Sequence, residues 1–154
     1  MSLHDLIDSD AIIASLKAPS KKQALQELSD RASAVAGIPA REIFDALLQR
    51  ERLGSTGVGG GIAIPHGKLP RVERMLGVFA RLERPIDYEA LDGEPVDLIF
   101  LLLAPESAGA DHLKALSRVA RSLRDPSLTA RLRATKDASG LFLLLTQNPA
   151  HHAA

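Results

Sequence analysis

Apolar residues along the chain follow two periods, one typical of strands and one typical of helices. The short apolar segment from Ala11 to Lys17 predicts a first strand, and a second strand-like segment runs from Met75 to Glu83. The segment from Val96 to Pro105 is apolar almost without interruption. Strands that are covered on both faces have this pattern, so we expect a central strand there with helices on both sides.

Helical spacing predicts two helices in succession before a glycine-rich stretch. Ser20, followed three residues later by Gln23, has the capping-box pattern of a helix start, and Gly37 marks the end of this helix. Pro39 opens the second helix, which ends near Gly54. Polar, turn-rich residues then separate the last two strand-like segments.

Three further helices are predicted in the last third of the chain. The first begins at about Asp111, and one apolar stripe on it contains Leu113, Leu116, Val119, Ala120 and Leu123. Pro126 ends this helix, and two short helices follow over residues 127–134 and around residues 139–147. Residues from about 148 to 154 have the composition of a frayed tail.

This order of elements predicts an α/β fold, a three-layer α/β/α sandwich around a mixed sheet. The length of 154 residues suits a single domain spanning residues 1–154. Two helices in succession interrupt a strict alternation of strand and helix, so a doubly wound Rossmann fold is not predicted.

Composition excludes several classes of function. Lys plus Arg equals Asp plus Glu, at 19 each, which gives no broad electrostatic reason to expect nucleic acid or an acidic membrane as partner. The absence of cysteine excludes disulfides, thiolate metal sites and cysteine nucleophiles. No apolar run is long enough to span a bilayer, and we expect a soluble, cytoplasmic protein without membrane insertion.

The stretch "GSTGVGGGIAIPHGKLP" at residues 54–70 is the strongest candidate for chemistry, and it fails several known patterns. A Walker loop would need a hydroxyl where Leu69 stands, and a dinucleotide fingerprint lacks its third glycine. A nucleophile elbow around Ser55 would need glycine at Leu53. Zinc would require further ligands, and none flank His66.

The histidine itself remains as a candidate nucleophile. His66 lies between Pro65 and Gly67, a setting that favours a rigid, uncrowded imidazole at a strand end. Neutral imidazole is a good nucleophile near pH 7. A phosphoryl group on it would need donors, which a nest-like loop could supply from Ser55, Thr56, Gly57, Gly59 and Gly61. Spacing alone leaves open an inert, hydrogen-bonded loop histidine and a hairpin of glycines that only connects elements.

The residues also resemble a known family. "STGVGGGIAIPHGK" is similar to the phosphorylation-site segment of enzyme IIA of the mannitol/fructose class in the bacterial phosphotransferase system (PTS). The resemblance is strongest to the nitrogen-regulatory branch, IIA-Ntr, and extends to "REIFDALLQRERLGSTG" and "HLKALSRVARSL" and over most of the chain. It implies a single EIIA type-2 domain with the α/β/α sandwich expected above, and it implies neither a cofactor nor a metal.

The resemblance also implies residue roles. His66 matches the histidine that receives a phosphoryl group from the phosphohistidine of a small HPr-like phosphocarrier. His112 matches a second site histidine and Arg50 a site arginine, both of which would stabilise the phosphoryl oxygens. In the alternative, Arg50 only satisfies carbonyls at the end of its helix, and His112 only faces water.

Three functions follow from the resemblance as alternatives. The first is a phosphotransferase protein with a mainly regulatory role, whose phosphorylation state controls binding to targets such as potassium transporters or sensor kinases. The second is a sugar-specific IIA that passes phosphate to a IIB domain during fructose or mannitol uptake. The third is a regulator that acts by docking alone, without phosphotransfer.

Overall fold

A mixed sheet forms the centre of the fold in the computed structural model, which describes residues 3–147. Within these residues the sheet has six strands, which are β1 (Ile7–Leu16), β2 (Gly57–Gly59), β3 (Ile62–Ala63), β4 (His66–Leu69), β5 (Leu76–Ile86) and β6 (Val96–Pro105). The strand order is β1-β5-β6-β3-β2, and β4 also pairs with β6. The helices described are α1 (Lys21–Ala36), α2 (Ala40–Arg52), α3 (Ala110–Leu123), α4 (Pro126–Ala134) and α5 (Ala138–Thr146).

Strand β6 is the central strand, as its sequence predicted. It pairs antiparallel with β5 on one side and parallel with both β3 and β4 on the other. Every residue of β6 except Asp97 and Pro105 is buried. Because successive side chains of a strand point to opposite faces, this burial requires helices on both faces of the sheet. Helices α1 and α2 pack on each other and on β1, β4 and β5, while α3 packs on β6 and α5 on β1. The α/β sandwich with a mixed sheet is confirmed.

The predicted helix signals act as expected. The hydroxyl of Ser20 accepts a hydrogen bond from the backbone N–H of Gln23 and caps α1, and Gly37 ends this helix in the left-handed region at φ 73°. Pro39 precedes the first residue of α2. Pro126 does more than end α3, since it occupies the first turn of α4, where a missing N–H costs nothing.

Two predicted strand boundaries were wrong. Strand β1 begins at Ile7, four residues before the predicted start at Ala11, because three exposed polar residues in a row, at positions 8–10, follow Ile7 and hide the strand from an apolar pattern. Strand β5 extends past Glu83 to Ile86 across a register shift, which the apolar pattern alone does not reveal. In the glycine-rich stretch, β3 agrees with the strand end expected before His66, whereas β2 and β4 lie where a loop was expected.

The predicted apolar stripe on α3 was also partly wrong. Leu113 is 65% exposed, whereas His112, Ala115 and Ser122 are buried together with Val119 and Leu123. The buried face therefore lies one position away from the predicted one at its start. It includes small and polar residues, which an apolar pattern does not detect.

The predicted frayed tail at 148–154 lies outside the described residues. Within residues 3–147, no helix is both long enough and apolar enough to cross a membrane.

Gly77 lies on β5 against the ring of Phe100 on the neighbouring strand β6, and this contact allows a test of core packing. A Cβ atom added to this residue would lie 2.5 Å from the ring of Phe100 and 3.0 Å from the carbonyl oxygen of Leu6. We therefore expect Gly77→Ala to lower the free energy of unfolding by about 1–3 kcal/mol in urea titrations, as overpacked cores do. In a Phe100→Leu background the added cost of Gly77→Ala should shrink. An equal cost in both backgrounds would contradict this account of the contact.

Candidate functional site

His66 is the first residue of β4, at a break in the sheet. Strands β3 and β4 both pair with β6, and the interruption between them contains Pro65, which has no N–H for the ladder. The carbonyl of Pro65 accepts a 2.9 Å hydrogen bond from the N–H of Leu102, the residue opposite His66. The histidine backbone is thus held by the central strand, and its half-buried ring is directed by separate contacts.

Two hydrogen bonds define the state of the His66 ring. Nδ1 lies 2.8 Å from the carbonyl oxygen of Ile64, and Nε2 lies 3.2 Å from Nε of Arg50. A carbonyl oxygen can only accept, so Nδ1 carries the proton and donates it. Nε2 then has a free lone pair, which agrees with its position as acceptor from the guanidinium. The ring nitrogen of His66 with the available lone pair is therefore Nε2.

Arg50 lies in the last turn of α2 and is held at two points. Its Nε donates to His66, and its Nη1 donates to the carbonyl oxygen of Gly54 at 2.8 Å. Helix α2 packs over β4, where a Cβ at Gly67 would lie 3.5 Å from that of Ala46, an ordinary van der Waals contact. A methyl group at Gly67 would therefore fit, and the packing of α2 on the strand that begins with His66 does not depend on this glycine.

His112 reaches the same place from the opposite element, the first turn of α3. Its ring centroid lies 5.5 Å from that of His66, with the two planes tilted by 53°. The side chain is buried, and its Nδ1 has no hydrogen-bond partner in the part of the chain that the structure describes. Buried polar atoms are usually satisfied, so an orphaned imidazole nitrogen beside a second imidazole indicates a ligand-binding position.

Burial makes both imidazoles weak bases. It lowers the pKa of His66; the hydrogen bond to Ile64 opposes this shift, the Arg50 charge adds to it, and the Glu51 charge opposes it. Burial also lowers the pKa of His112, helped by the neighbouring His66 and Lys68. Since an ordinary imidazole titrates at about 6.5, both rings are neutral at pH 7. A neutral His66 keeps the Nε2 lone pair available.

The hydroxyls predicted as phosphate donors have partners within the protein. The Ser55 hydroxyl donates to the carbonyl oxygen of Tyr88 at 3.1 Å and accepts from the N–H of Gly57. The Thr56 hydroxyl is buried and bonds to the carboxylate of Glu51. These groups shape the turn beside the site and do not present free donors to it.

The other glycines predicted for the phosphate loop lie farther from His66. They form the hairpin of β2 and β3, in which Ile62 lies opposite Leu98, four residues along β6 from the partner of His66 and so about 13 Å away. Gly59 and Gly61 both have positive φ angles, of 103° and 81°. A Cβ at Gly61 would lie 2.5 Å from the guanidinium of Arg133. The structure therefore does not bring these two glycines to the imidazole pair.

Sequence reasoning missed a buried polar group next to the site. Glu51, between two arginines at the end of α2, has a side chain only 6% exposed and pairs with Lys21 at 2.9 Å. The one signal in the sequence was that Glu51 is an acidic residue between Arg50 and Arg52. Within residues 3–147, no group of three or more His, Cys, Asp or Glu side chains converges as a metal site would require.

Fold and site together define a single-domain α/β protein in which a half-buried neutral imidazole contacts a guanidinium and lies beside a second imidazole. The family profile described as "Phosphoenolpyruvate-dependent sugar phosphotransferase system, EIIA 2" matches residues 5–148. The chain belongs to this family.

Relatives within the family agree with the nitrogen-regulatory branch that the sequence indicated. A nitrogen regulatory protein of Bradyrhizobium diazoefficiens is 57% identical over 150 residues, which is 97% of this chain and 98% of the relative. One from Escherichia coli strain K12 is 41% identical and covers 95% of this chain and 90% of its own length. The crystal structure of IIA-Ntr from Neisseria meningitidis superposes with a TM-score of 0.87 at 34% identity, over 92% of this chain and 97% of that one.

The hydrogen bonds of the His66 ring predict a particular titration. We expect nitrogen-detected NMR at neutral pH to find the proton of His66 on Nδ1, and both imidazoles to titrate below about 6.5. Replacing Arg50 by Gln removes a neighbouring positive charge that disfavours the imidazolium, so the pKa of His66 should rise. The matched exposed change Arg52→Gln should leave it unchanged. A fall in the pKa of His66 on loss of Arg50 would contradict the assigned contact.

Proposed function

We propose that this protein accepts a phosphoryl group on Nε2 of His66 from the phosphohistidine of an HPr-like phosphocarrier in the cytoplasm. One observation carries the proposal. The hydrogen bond from Nδ1 to Ile64 leaves the lone pair on Nε2, to which Arg50 donates, and the His112 ring lies 5.5 Å from that of His66. Family membership supports phosphotransfer as the chemistry.

In the proposed step, Nε2 of His66 attacks the phosphorus atom in line with the nitrogen that leaves. The new N–P bond forms as the old one breaks, and its electron pair returns to the imidazole of the carrier. Because His66 keeps its proton on Nδ1, positive charge develops on the ring as it attacks. The carbonyl of Ile64, which accepts from that Nδ1, stabilises this charge.

Arg50 and His112 act on the phosphoryl oxygens. Transfer between two nitrogens requires positioning and stabilisation of negative charge, with little acid–base work. When the Nε2 lone pair forms the bond to phosphorus, the hydrogen bond from Arg50 to Nε2 is lost. The guanidinium then donates to an equatorial oxygen of the phosphoryl group. His112 has an unpartnered buried nitrogen close by and donates a ring N–H in the tautomer that meets an oxygen. One phosphoamidate replaces another, so the transfer is reversible.

We propose further that the phosphorylated and free states bind other proteins differently, with targets such as potassium transporters or sensor kinases. A phosphoryl group would add about −1.5 to −2 charges beside neutral rings, enough to reorganise a protein contact. The nitrogen regulatory relatives favour this regulatory role over sugar uptake. Exposed leucines adjacent to the site, Leu53 at 84% and Leu113 at 65%, offer apolar contacts for a protein partner.

The first experiment measures phosphoryl acceptance directly. The protein is incubated with phosphoenolpyruvate, enzyme I and the HPr-like carrier, and its intact mass is recorded over time. We expect one acid-labile phosphate on the wild type and none on His66→Ala. Arg50→Gln and His112→Gln should still be labelled, but about 10–1000-fold more slowly, as when a charge-stabilising donor is lost.

Two outcomes would overturn the assignment. Labelling of His66→Ala at the wild-type rate would place the phosphate elsewhere. No labelling of the wild type by a carrier that labels another acceptor would leave the regulator that acts by docking alone. Arg52→Gln serves as the matched control, since this exposed arginine lies two residues from Arg50 on the same helix. Its rate should equal that of the wild type.

A second experiment separates regulation from sugar uptake. Phosphorylated protein is mixed with fructose-type and mannitol-type IIB domains, and the mass of each is followed. A regulatory protein should keep its phosphate on the time scale in which a sugar-specific IIA gives it up. Rapid and complete transfer to either IIB domain would favour the sugar-specific alternative.

A further inference from the structure

A buried carboxylate lies directly behind the proposed site. Oε1 of Glu51 accepts from the backbone N–H of Thr56 at 3.0 Å and pairs with Nζ of Lys21 at 2.9 Å, and Oε2 accepts from the Thr56 hydroxyl. Lys21 is itself largely buried, with its side chain 17% exposed. A buried ion pair is costly unless its hydrogen bonds are complete, so such a group restricts the backbone that satisfies it.

Tyr88 completes this cluster from the far side. The ring of Tyr88 is fully buried beneath the ammonium of Lys21, which lies 4.7 Å from the ring centroid. Its hydroxyl is 3.1 Å from that of Thr56, and because Thr56 donates its single proton to Glu51, Tyr88 is the donor in this pair. Burial, with the charge of Glu51, raises the pKa of Tyr88, so the phenol stays neutral and keeps that proton.

Thr56 connects the cluster to both hydrogen-bond partners of His66. Its carbonyl oxygen accepts from the N–H of Ile64 at 2.9 Å, and the carbonyl of Ile64 accepts from Nδ1 of His66. Thr56 also follows two residues after Gly54, whose carbonyl accepts from Nη1 of Arg50. Displacing Thr56 would therefore move the groups that contact the two ring nitrogens.

We propose that Glu51 is a positioning residue for phosphoryl acceptance, acting through Thr56 to hold Arg50 and Ile64 in place around His66. Glu51 touches neither imidazole in this role. The inference rests on the proposed function, but its consequences for the resting ring can be measured without any transfer.

The kinetic test uses Glu51→Gln in the full chain, with Glu42→Gln as matched control, since Glu42 lies at the other end of the same helix with its side chain 41% exposed. We expect Glu51→Gln to slow phosphoryl acceptance by about 10–100-fold, as small misplacements of a reacting group do. The KM for the carrier should stay within about twofold, because the Glu51 side chain is only 6% exposed and presents almost no surface to a carrier. Glu42→Gln should match the wild type. An unchanged rate in Glu51→Gln would overturn the proposal.

The NMR readout distinguishes positioning from a simple charge effect through the tautomer of His66. The Ile64 carbonyl, which accepts from Nδ1, and the Arg50 N–H, which donates to Nε2, together hold the ring proton on Nδ1. If Glu51 acted only through its charge, which raises the pKa of His66, Glu51→Gln would lower that pKa and leave the proton on Nδ1. If Glu51 holds Ile64 and Arg50 in place, the proton of the neutral ring is shared between Nδ1 and Nε2 in Glu51→Gln. A proton that remains wholly on Nδ1 would overturn the proposal.

Variants of Thr56 keep the test decisive should Glu51→Gln fail to fold. Thr56→Val keeps the shape of the side chain and removes the hydroxyl, whereas Thr56→Ser retains it. We expect Thr56→Val to be slow, with the His66 proton shared between Nδ1 and Nε2, and Thr56→Ser to approach the wild type. Equal behaviour of the two variants would contradict the connection through Thr56. An unlabelled wild type would count against the proposed function alone, since the tautomer readout would still stand.

Discussion

The hydrogen bonding of β4 to the central strand β6 is the constraint on which the site depends. Strand β6 is buried on both faces and cannot shift without exposing its apolar residues to water. His66 lies opposite Leu102 in this register, directly after a proline that interrupts the ladder. The position of the imidazole is therefore set by the core of the protein. Helices α2 and α3 each contribute one side chain, Arg50 and His112, that reaches this fixed imidazole.

Electrostatics at this point follow from burial. Both rings lose water on folding and remain neutral near pH 7, so the Nε2 lone pair of His66 is available without a general base. Arg50 places a positive charge at this lone pair, and the carboxylate of Glu51 pairs with Lys21 and Thr56. The charge of the acidic group is thus balanced by a lysine.

Sequence patterns predicted much of the fold and the identity of the central residues. The apolar run of β6 and the capping of α1 by Ser20 are local signals, and each was confirmed. The trio of Arg50, His66 and His112 came from the resemblance, and the structure brings these three side chains together. Spacing alone could not have joined them, because they lie on three different elements.

What escaped prediction depends on contacts between residues far apart in the chain. The glycines of the β2–β3 hairpin were expected to be phosphate donors. In the structure, residues from distant segments bind this hairpin, since Gly60 donates its N–H to Asp92 and its carbonyl accepts from Arg133. In the sequence, Glu51 belongs to a basic cluster that would be expected at the surface. In the structure, Lys21 pairs with its carboxylate, and Tyr88 contacts the hydroxyl of its partner Thr56. The spacing of apolar residues on a helix likewise predicts how wide its buried face is, but not which way the helix is turned about its axis. For this reason Leu113 was expected to be buried, whereas it is exposed.

The bond from Arg50 to Nε2 has a consequence for the chemical selectivity of the histidine. In the resting protein the lone pair that would attack is already engaged by a guanidinium N–H. An uncharged electrophile must break this bond with nothing to replace it, a loss of about 1.5–3 kcal/mol that corresponds to a rate about 10–100 times lower. An anionic phosphoryl group brings its own oxygens, to which the guanidinium can transfer its hydrogen bond as the nitrogen is released. The arginine would thus shield the nucleophile from adventitious modification while leaving it open to the one class of reagent that carries negative charge beside its reactive atom.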